Sequence, residues 1–568
     1  MPTPIATQPL DDAGNRRARR LARERVSWPV NLAPETVDFE SHGHLLILGG
    51  ELAIRRAAHR LQERMASVTL LVVERSEASD VEGLETLWSA TQALPCFTAT
   101  DAKAIEIRGY LGRFTVTLPL EGERASLAMA SRQREHFDLV LDLGGEPRLD
   151  LELPPPGYLA ASWGSEACAS ALETLPELVG GFQSPRSIRV NGDLCAHHRR
   201  GQPGCTRCLD ACPADAIASH QGRIEAWIEV DPHRCHGAGS CTAACPTGAL
   251  EYRVPHPAPL EAHIAETLVA YRHAGGDHPV VRFVDRQTLE AEASEAAGHV
   301  LDMPLEELGA AGLDHWLAAL AAGAAEVRLQ ATSALPPSLR HQLDDQLAQA
   351  GALLGALGHD PARLQWAEGS EARDALPHHP ALEAPTTEDV AAPAGKRDRL
   401  NATLERLAAL GRPSGERHAL PKGAPFGTLE VDTDGCTLCM SCVAVCPTPA
   451  LGGGSDTQPR LSFREADCVQ CGLCEASCPE RVIRLAPGFL AAPERTERRT
   501  LKEEEAFACI ACGKPFATAS TIASIKAKLA DHPYFAGEAM ARLEMCEDCR
   551  VRDVWHELAR NPESQLKV

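Results

Sequence analysis

The chain has 568 residues, a formal net charge of −22 and 21 cysteines. That length exceeds a single hydrophobic core, so about three to five domains are expected. The acidity argues against a nucleic-acid partner and suits a protein that docks on basic patches of other proteins. The longest apolar run, 316–325, is far short of the roughly 18 residues that span a bilayer, so a soluble, cytoplasmic protein without a transmembrane segment is expected.

Residues 1–40 carry Arg16, Arg17, Arg19 and Arg20, followed by Ser27, Trp28, Pro29 and Asn31. No apolar signal core follows, so a basic flexible arm is expected rather than a twin-arginine signal. Residues 41–184 read as an N-terminal α/β domain. An apolar strand over 45–48 runs into Gly49 and Gly50, a helical pattern carries Leu52, Ile54, Ala57, Ala58 and Leu61, and a strand over 70–73 ends at Glu74. This outlines a β-α-β dinucleotide site, although the G-x-G-x-x-G fingerprint is absent. Gly49, Gly50 and Glu74 are therefore cofactor-binding candidates, set against a structural unit whose glycines only make the turn. Further strands are expected near 114–118 and 137–143, before the exit at Pro154, Pro155 and Pro156.

Residues 185–255 carry two Cys-Pro pairs, Cys212-Pro213 and Cys245-Pro246, behind Cys205 and Cys208 and behind Cys235 and Cys241. Gln202 stands where the first cysteine of the first run belongs, and Cys195, displaced by the insert 197–204, is its nearest replacement. In the second run Ala238 occupies the second cysteine position.

From 256 to 370 helical and strand patterns alternate, which implies a middle α/β domain with a parallel sheet. No catalytic constellation stands out there, so no catalytic residue is assigned. His315 and Trp316 read as packing residues. Residues 371–425, rich in Pro, Ala and charge (His378, His379, Pro380, Pro385, Pro393) with one short helix near 404–410, read as a linker.

Residues 426–490 hold the complete pattern. Cys436, Cys439, Cys442 and Cys446, then Cys468, Cys471, Cys474 and Cys478, each read C-x2-C-x2-C-x3-C-P, the bacterial ferredoxin run. Three thiolates on a tight loop face one iron-sulfur cube, while the fourth points toward a second. One [4Fe-4S] cluster is thus expected on Cys436, Cys439, Cys442 and Cys478, and one on Cys468, Cys471, Cys474 and Cys446. The incomplete pair yields one on Cys195, Cys205, Cys208 and Cys245, and a site with only Cys212, Cys235 and Cys241. That last site is expected to hold [3Fe-4S] or a [4Fe-4S] cluster with a labile iron, with His236 as an alternative ligand, or to stay empty. Zinc knuckles or a disulfide framework would not explain the prolines or the repeat.

In the tail, 491–568, Cys509 and Cys512 and, past a helical stretch, Cys546 and Cys549 form two C-x2-C knuckles. They favour zinc over iron or free thiols. Cys96 and Cys168 are left over and read as buried small hydrophobes. Clustering of cysteines in ligand spacing indicates a reducing compartment.

GYLGRF (109–114), FDLVLDL (137–143), PPPGY (154–158), CAHHRRGQPGCTRCLDACP (195–213) and CIACGKPF (509–516) together make the chain resemble a family of large proteobacterial 4Fe-4S ferredoxin-type proteins, or polyferredoxins. Members are often encoded beside formate dehydrogenase or other molybdoenzyme genes. The family has cysteine where this chain has Ala238. The expected fold class is α/β plus α+β: two two-cluster ferredoxin-like modules, two Rossmann-like α/β domains and a small C-terminal helical region with the zinc knuckles. The resemblance implies an electron carrier, with redox proteins such as formate dehydrogenase or another molybdoenzyme as partners. The alternatives are a subunit of an NAD(P)- or flavin-linked oxidoreductase, and an accessory protein supplying clusters or electrons to a maturing molybdoenzyme.

Overall fold

The computed structural model describes residues 10–560 apart from 31–34, 75–83, 100, 121–122, 198–203, 293, 331, 333–334, 385–394, 456 and 536–537. Gln202, most of the insert around it, and Pro385 and Pro393 lie outside the described residues.

The expected free arm is corrected first. Residues Asp12–Arg25 form helix α1, which buries Asn15, Ala18, Arg19 and Ala22. Nη1 of Arg19 donates to the carbonyls of Ala296, Ala297 and Val300 at 3.0, 2.9 and 3.1 Å. A guanidinium that satisfies several carbonyls can leave water, so an arginine-rich stretch becomes a docking face.

Strands β1 (His44–Gly50), β2 (Ser67–Glu74), β3 (Cys96–Thr98), β4 (Leu139–Leu143) and β5 (Tyr158–Ala160) form a parallel sheet in the order β3-β2-β1-β4-β5. Helix α2 (Glu51–Leu61) packs on it through Ile54, Ala57, Ala58 and Leu61. The near-continuous Leu, Ile and Val runs of β1, β2 and β4 suit strands buried on both faces. The strand expected near 114–118 lies instead in a separate antiparallel sheet, Thr115–Leu120 between Glu106–Arg108 and Glu123–Ser126. Cys168 is buried, but Cys96 is exposed, against expectation, because β3 is an edge strand.

A second parallel sheet follows. Helix α3 (Pro257–His273) precedes β6 (Val280–Asp285) and β7 (Val300–Leu305), then α4 (Leu313–Ala321), β8 (Glu326–Gln330), α5 (Pro337–Ala356) and β9 (Leu364–Ala367), in the order β7-β6-β8-β9. The expected linker is largely part of this body. Helix α6 (Lys396–Leu410) buries Leu400, Leu404 and Leu407 in the same core as α4. Earlier in that segment, His379 Nδ1 sits 3.0 Å from the fully buried Glu326. Proline and charge masked these contacts in the sequence.

The two cysteine-rich regions share one arrangement. An outer antiparallel pair, Ile188–Val190 with Leu250–Tyr252 or Gly427–Val431 with Ile483–Pro487, encloses an inner one, Ile217–Gln221 with Ala226–Val230 or Leu451–Ser455 with Gln458–Arg464. The tail is mixed rather than helical. Arg498–Glu503 adds a third strand to the second region's inner pair, and Ala506–Ala508 pairs with Pro515–Thr518 ahead of helices Ala519–Leu529 and Glu547–Arg560. No helix among the described residues is long and apolar enough to cross a membrane.

Candidate metal centres

Three of the cysteine loops are wound by residues in the left-handed region. In 436–442 these are Leu438 and Met440 (φ 55° and 60°), in 468–474 Gln470 and Gly472 (52° and 82°), and in 235–241 Gly237 and Gly239 (75° and 78°). Left-handed residues turn successive peptides inward, so backbone N–H groups aim at sulfur, as those of Leu438, Gln470 and Gly237 do at Cys436, Cys468 and Cys235. The loop with Ala238 is therefore wound like the two complete ones.

Cysteines distant in the chain act on one another. Burial, and then Cys245, Cys205 and Cys195, push the thiol of Cys208 up. Cys241, enclosed completely, is raised by burial and then by Cys235 and Cys212. Burial, Cys439 and Cys436, with Cys478 behind them, push Cys442 up to about 12. Cys474 is raised by burial, Cys468, Cys471 and Cys446. All 21 cysteines are free, so a disulfide framework is not what groups them. Crowded thiols in apolar surroundings ionise only with a metal to compensate them, and sulfur-only donor sets suit iron-sulfur ligation.

The sets also adjoin one another. Cys241 feels Cys208 and Cys245, Cys471 feels Cys205, and Cys474 feels Cys442. The two regions touch directly between Cys205 and Cys471. Nη1 of Arg207 donates to the Val469 carbonyl at 3.2 Å, and a Cβ on Gly204 would meet Leu473 Cδ2 at 3.1 Å.

In the tail, the sulfurs of Cys509, Cys512, Cys546 and Cys549 all lie within 4.8 Å of one another. Burial opposes ionisation of Cys509, but backbone N–H groups of Cys546, Cys512 and Ala511 lower it to about 6. Thr518 and Thr521 anchor this unit by donating to the Thr437 carbonyl inside the 436–442 loop, at 3.0 and 2.5 Å.

The other candidates fall elsewhere. Gly49 has φ 144°, and a Cβ there would stand 2.8 Å from the Leu143 carbonyl, so strand packing itself requires glycine. Gly50 pairs in register with Glu74, and beyond it Glu51, in the first turn of α2, bonds Arg55 at 3.3 Å. Nε2 of His236 lies 2.8 Å from the Pro154 carbonyl and so is occupied away from the cysteines. Trp316 and His315 are buried, as packing residues should be. Donor atoms of His315, Asp314 and Glu261 lie within 4.8 Å of one another. Lys396 at 3.5 Å from Asp314 and Arg399 at 2.9 Å from Glu261 already offset both carboxylates, so this group reads as an ion-pair network.

Several residues around the loops escaped sequence reasoning because their partners are distant in the chain. Lys396 Nζ donates to the Thr242 carbonyl at 2.8 Å, Lys502 Nζ to that of Cys436 at 2.5 Å, and Arg397 Nη2 to that of Cys468 at 2.7 Å. Buried His197 has Nδ1 3.2 Å from the Cys205 carbonyl and Nε2 2.8 Å from the Ser219 hydroxyl. Only its position in the insert after Cys195 hinted at a role.

Comparison with known families decides what the loops belong to. Residues 203–249 and residues 435–483 each match a 4Fe-4S dicluster domain. This is an iron-sulfur protein of the ferredoxin type. A stretch of 71 residues is 34% identical to one of the subunits of the ion-translocating oxidoreductase complex of Methanosarcina acetivorans, covering 11% of this chain and 25% of that protein. The chain thus spans about a quarter of that relative's length. The two matches indicate at least two [4Fe-4S] clusters.

Proposed function

We propose that the chain is a polyferredoxin carrying single electrons along four iron-sulfur sites in one continuous path. The observation that carries this reading is the approach of Cys205 in the first dicluster domain to Cys471 in the second, backed by the Arg207 to Val469 bond. Complete ligand sets would be Cys195, Cys205, Cys208 and Cys245; Cys446, Cys468, Cys471 and Cys474; and Cys436, Cys439, Cys442 and Cys478. Cys212, Cys235 and Cys241 form the terminal site, with three thiolates and [3Fe-4S] or a labile [4Fe-4S] cluster. Bound clusters supply reversible one-electron chemistry. The chain's residues do the rest. Gly237, Leu438 and Gln470 direct N–H groups at sulfur, which favours the added negative charge of a reduced site, and Ile228, Leu250, Leu461 and Phe463 keep water away.

Cys509, Cys512, Cys546 and Cys549 would hold structural zinc, a reading supported by their closed four-sulfur geometry. Redox proteins of the cytoplasm are the proposed partners, formate dehydrogenase or another molybdoenzyme among them on the strength of the family resemblance. The relative's name, which makes it part of an oxidoreductase complex, supports work inside a larger redox assembly.

The order β3-β2-β1-β4-β5 favours a second reading, because it is the doubly wound order of Rossmann-like domains, and the middle sheet follows a related one. A nicotinamide- or flavin-linked oxidoreductase subunit would use that domain, although Glu51 at the start of α2 opposes a phosphate there. The test is anaerobic mixing of the reconstituted protein with NADH or NADPH. No reduction is expected, whereas dithionite reduces all sites with magnetic interaction between neighbours. Rapid reduction by a nucleotide selects the second reading, and four non-interacting spectra reject the single path.

A further inference from the structure

Between α6 and the segment 489–496 lies a cavity of about 430 Å³ walled by Leu357, Leu404, Ala408, Phe489 and Ala491. That volume lies in the range of small-molecule sites. One wall is a guanidinium. Arg495 is only 4% exposed, its Nη1 donates to Asn401 Oδ1 at 2.9 Å, and it lies over the Phe489 ring, 5.2 Å from the centroid. Its Nε and Nη2 make no hydrogen bond among the described residues. Glu405, exposed on the rim, and Glu465, taken by Arg417 at 2.6 Å, favour its charge from a distance. Asp467, bonded to Arg464 at 3.4 Å, also acts on Arg495 only through space, so no carboxylate among the described residues touches this buried cation, and an apolar wall offers it none.

We propose that this cavity binds a small apolar carboxylate, its chain among Leu404, Ala408 and Phe489 and its two oxygens on Nε and Nη2 of Arg495. The guanidinium fork matches a carboxylate in two parallel bonds, and the cavity accepts an aliphatic body without loss of polar partners. The site reports to the second dicluster domain. Asn401 Nδ2 donates to the Ala466 carbonyl at 3.1 Å, and Arg397 donates to the carbonyls of Ala466 and Cys468 at 2.8 and 2.7 Å. A negative charge on Arg495 opposes addition of an electron beside Cys468, and by reciprocity the reduced protein binds the carboxylate more weakly. This redox consequence, unlike the binding itself, rests on the electron-carrier reading.

Full-length, cluster-loaded protein is titrated anaerobically by calorimetry with decanoate, decanol and acetate. Decanoate is expected to bind at least about tenfold more tightly than either, because only it satisfies both the cavity and the fork. Arg495→Lys should weaken it about tenfold, Glu405→Gln should tighten it by removing the rim charge, and Ala408→Trp should abolish binding by filling the cavity with the visible absorption unchanged. Equal affinity for decanoate and decanol, or decanoate binding that survives Ala408→Trp, overturns the proposal. If Arg495→Lys does not fold, Ala408→Trp and Glu405→Gln on the surface of α6 still decide. Equal affinity in the oxidised and reduced protein would reject only the coupling to Cys468.

Discussion

The loops over 235–241 and 468–474 share a backbone and differ in what they offer a metal. Both place left-handed residues at the third and fifth positions, Gly237 and Gly239 in one, Gln470 and Gly472 in the other, and both direct an N–H at the leading cysteine. Yet only the second has a thiol at its fourth position, where the first has Ala238. Winding and ligation are thus separable properties. The first loop also leans on the middle domain, since a Cβ at Gly309 would stand 2.2 Å from the Ala238 carbonyl, whereas a Cβ at Gly472 meets nothing nearer than Leu485 at 4.0 Å. The loop short of one thiolate is braced by close backbone packing, whereas the complete loop is held from outside by hydrogen bonds from Arg397 and Arg207 to the carbonyls of Cys468 and Val469.

The sharpest way to break the comparison is to remove a sulfur from the complete loop. Cys474→Ala is expected to cost the second domain one cluster, about four irons per chain by iron analysis, and to stop electron passage between the domains. An unchanged iron content would mean that this loop tolerates a missing thiolate as well as the first does. Next in size is the brace. Gly239→Val puts a Cβ 2.5 Å from the Ala310 nitrogen at φ 78°, and should destabilise by about 3 kcal/mol or more, read as a lowered midpoint of denaturant unfolding. Gly472→Ala, strained at φ 82° but sterically open, should cost only about 1 kcal/mol.

A third measurement sets both loops against the tail. Cys512→Ala is expected to release about one zinc per chain and expose the segment after 505 to protease, with cluster absorption intact. Iron rather than zinc at this site, with its own visible band, would reassign it. A finer change follows at Ala238. Replacing it with Cys should raise iron by about one per chain and remove the paramagnetic signal of an oxidised three-iron cluster. An oxidised wild type without that signal and with full iron would show that another group completes the site.

The smallest effect is a pH dependence peculiar to the first domain's brace. Burial, helped by Asp285 and Glu306, raises Glu307, just before the turn Leu308–Ala310, from 4.5 to about 7. The folded protein therefore holds this proton more tightly than the unfolded chain. The associated stability is complete below about 4.5 and is lost as pH rises through about 7. Glu307→Gln should flatten that slope in thermal unfolding between these pH values.

Cysteine spacing made the dicluster domains legible because each C-x2-C-x2-C run is a short, local turn. The parallel sheets were legible where apolar runs such as 45–48 and 139–143 are unbroken. What escaped is long-range and polar. Arg19 buries itself on carbonyls near residue 300, and Arg397 and Lys396 reach cysteine loops across the chain. A sequence reader assigns such side chains to water, so α1 became an arm and α6 part of a linker. Cys96 is exposed rather than buried because nothing local marks β3 as an edge.

The contact of Arg207 with Val469 has a kinetic meaning. Two separate carriers would have to find each other by diffusion, at a rate that changes with dilution. Holding both on one chain replaces that collision with a fixed effective concentration. On the single-path reading, exchange between the halves would be a first-order event, indifferent to how much of the protein the cell makes.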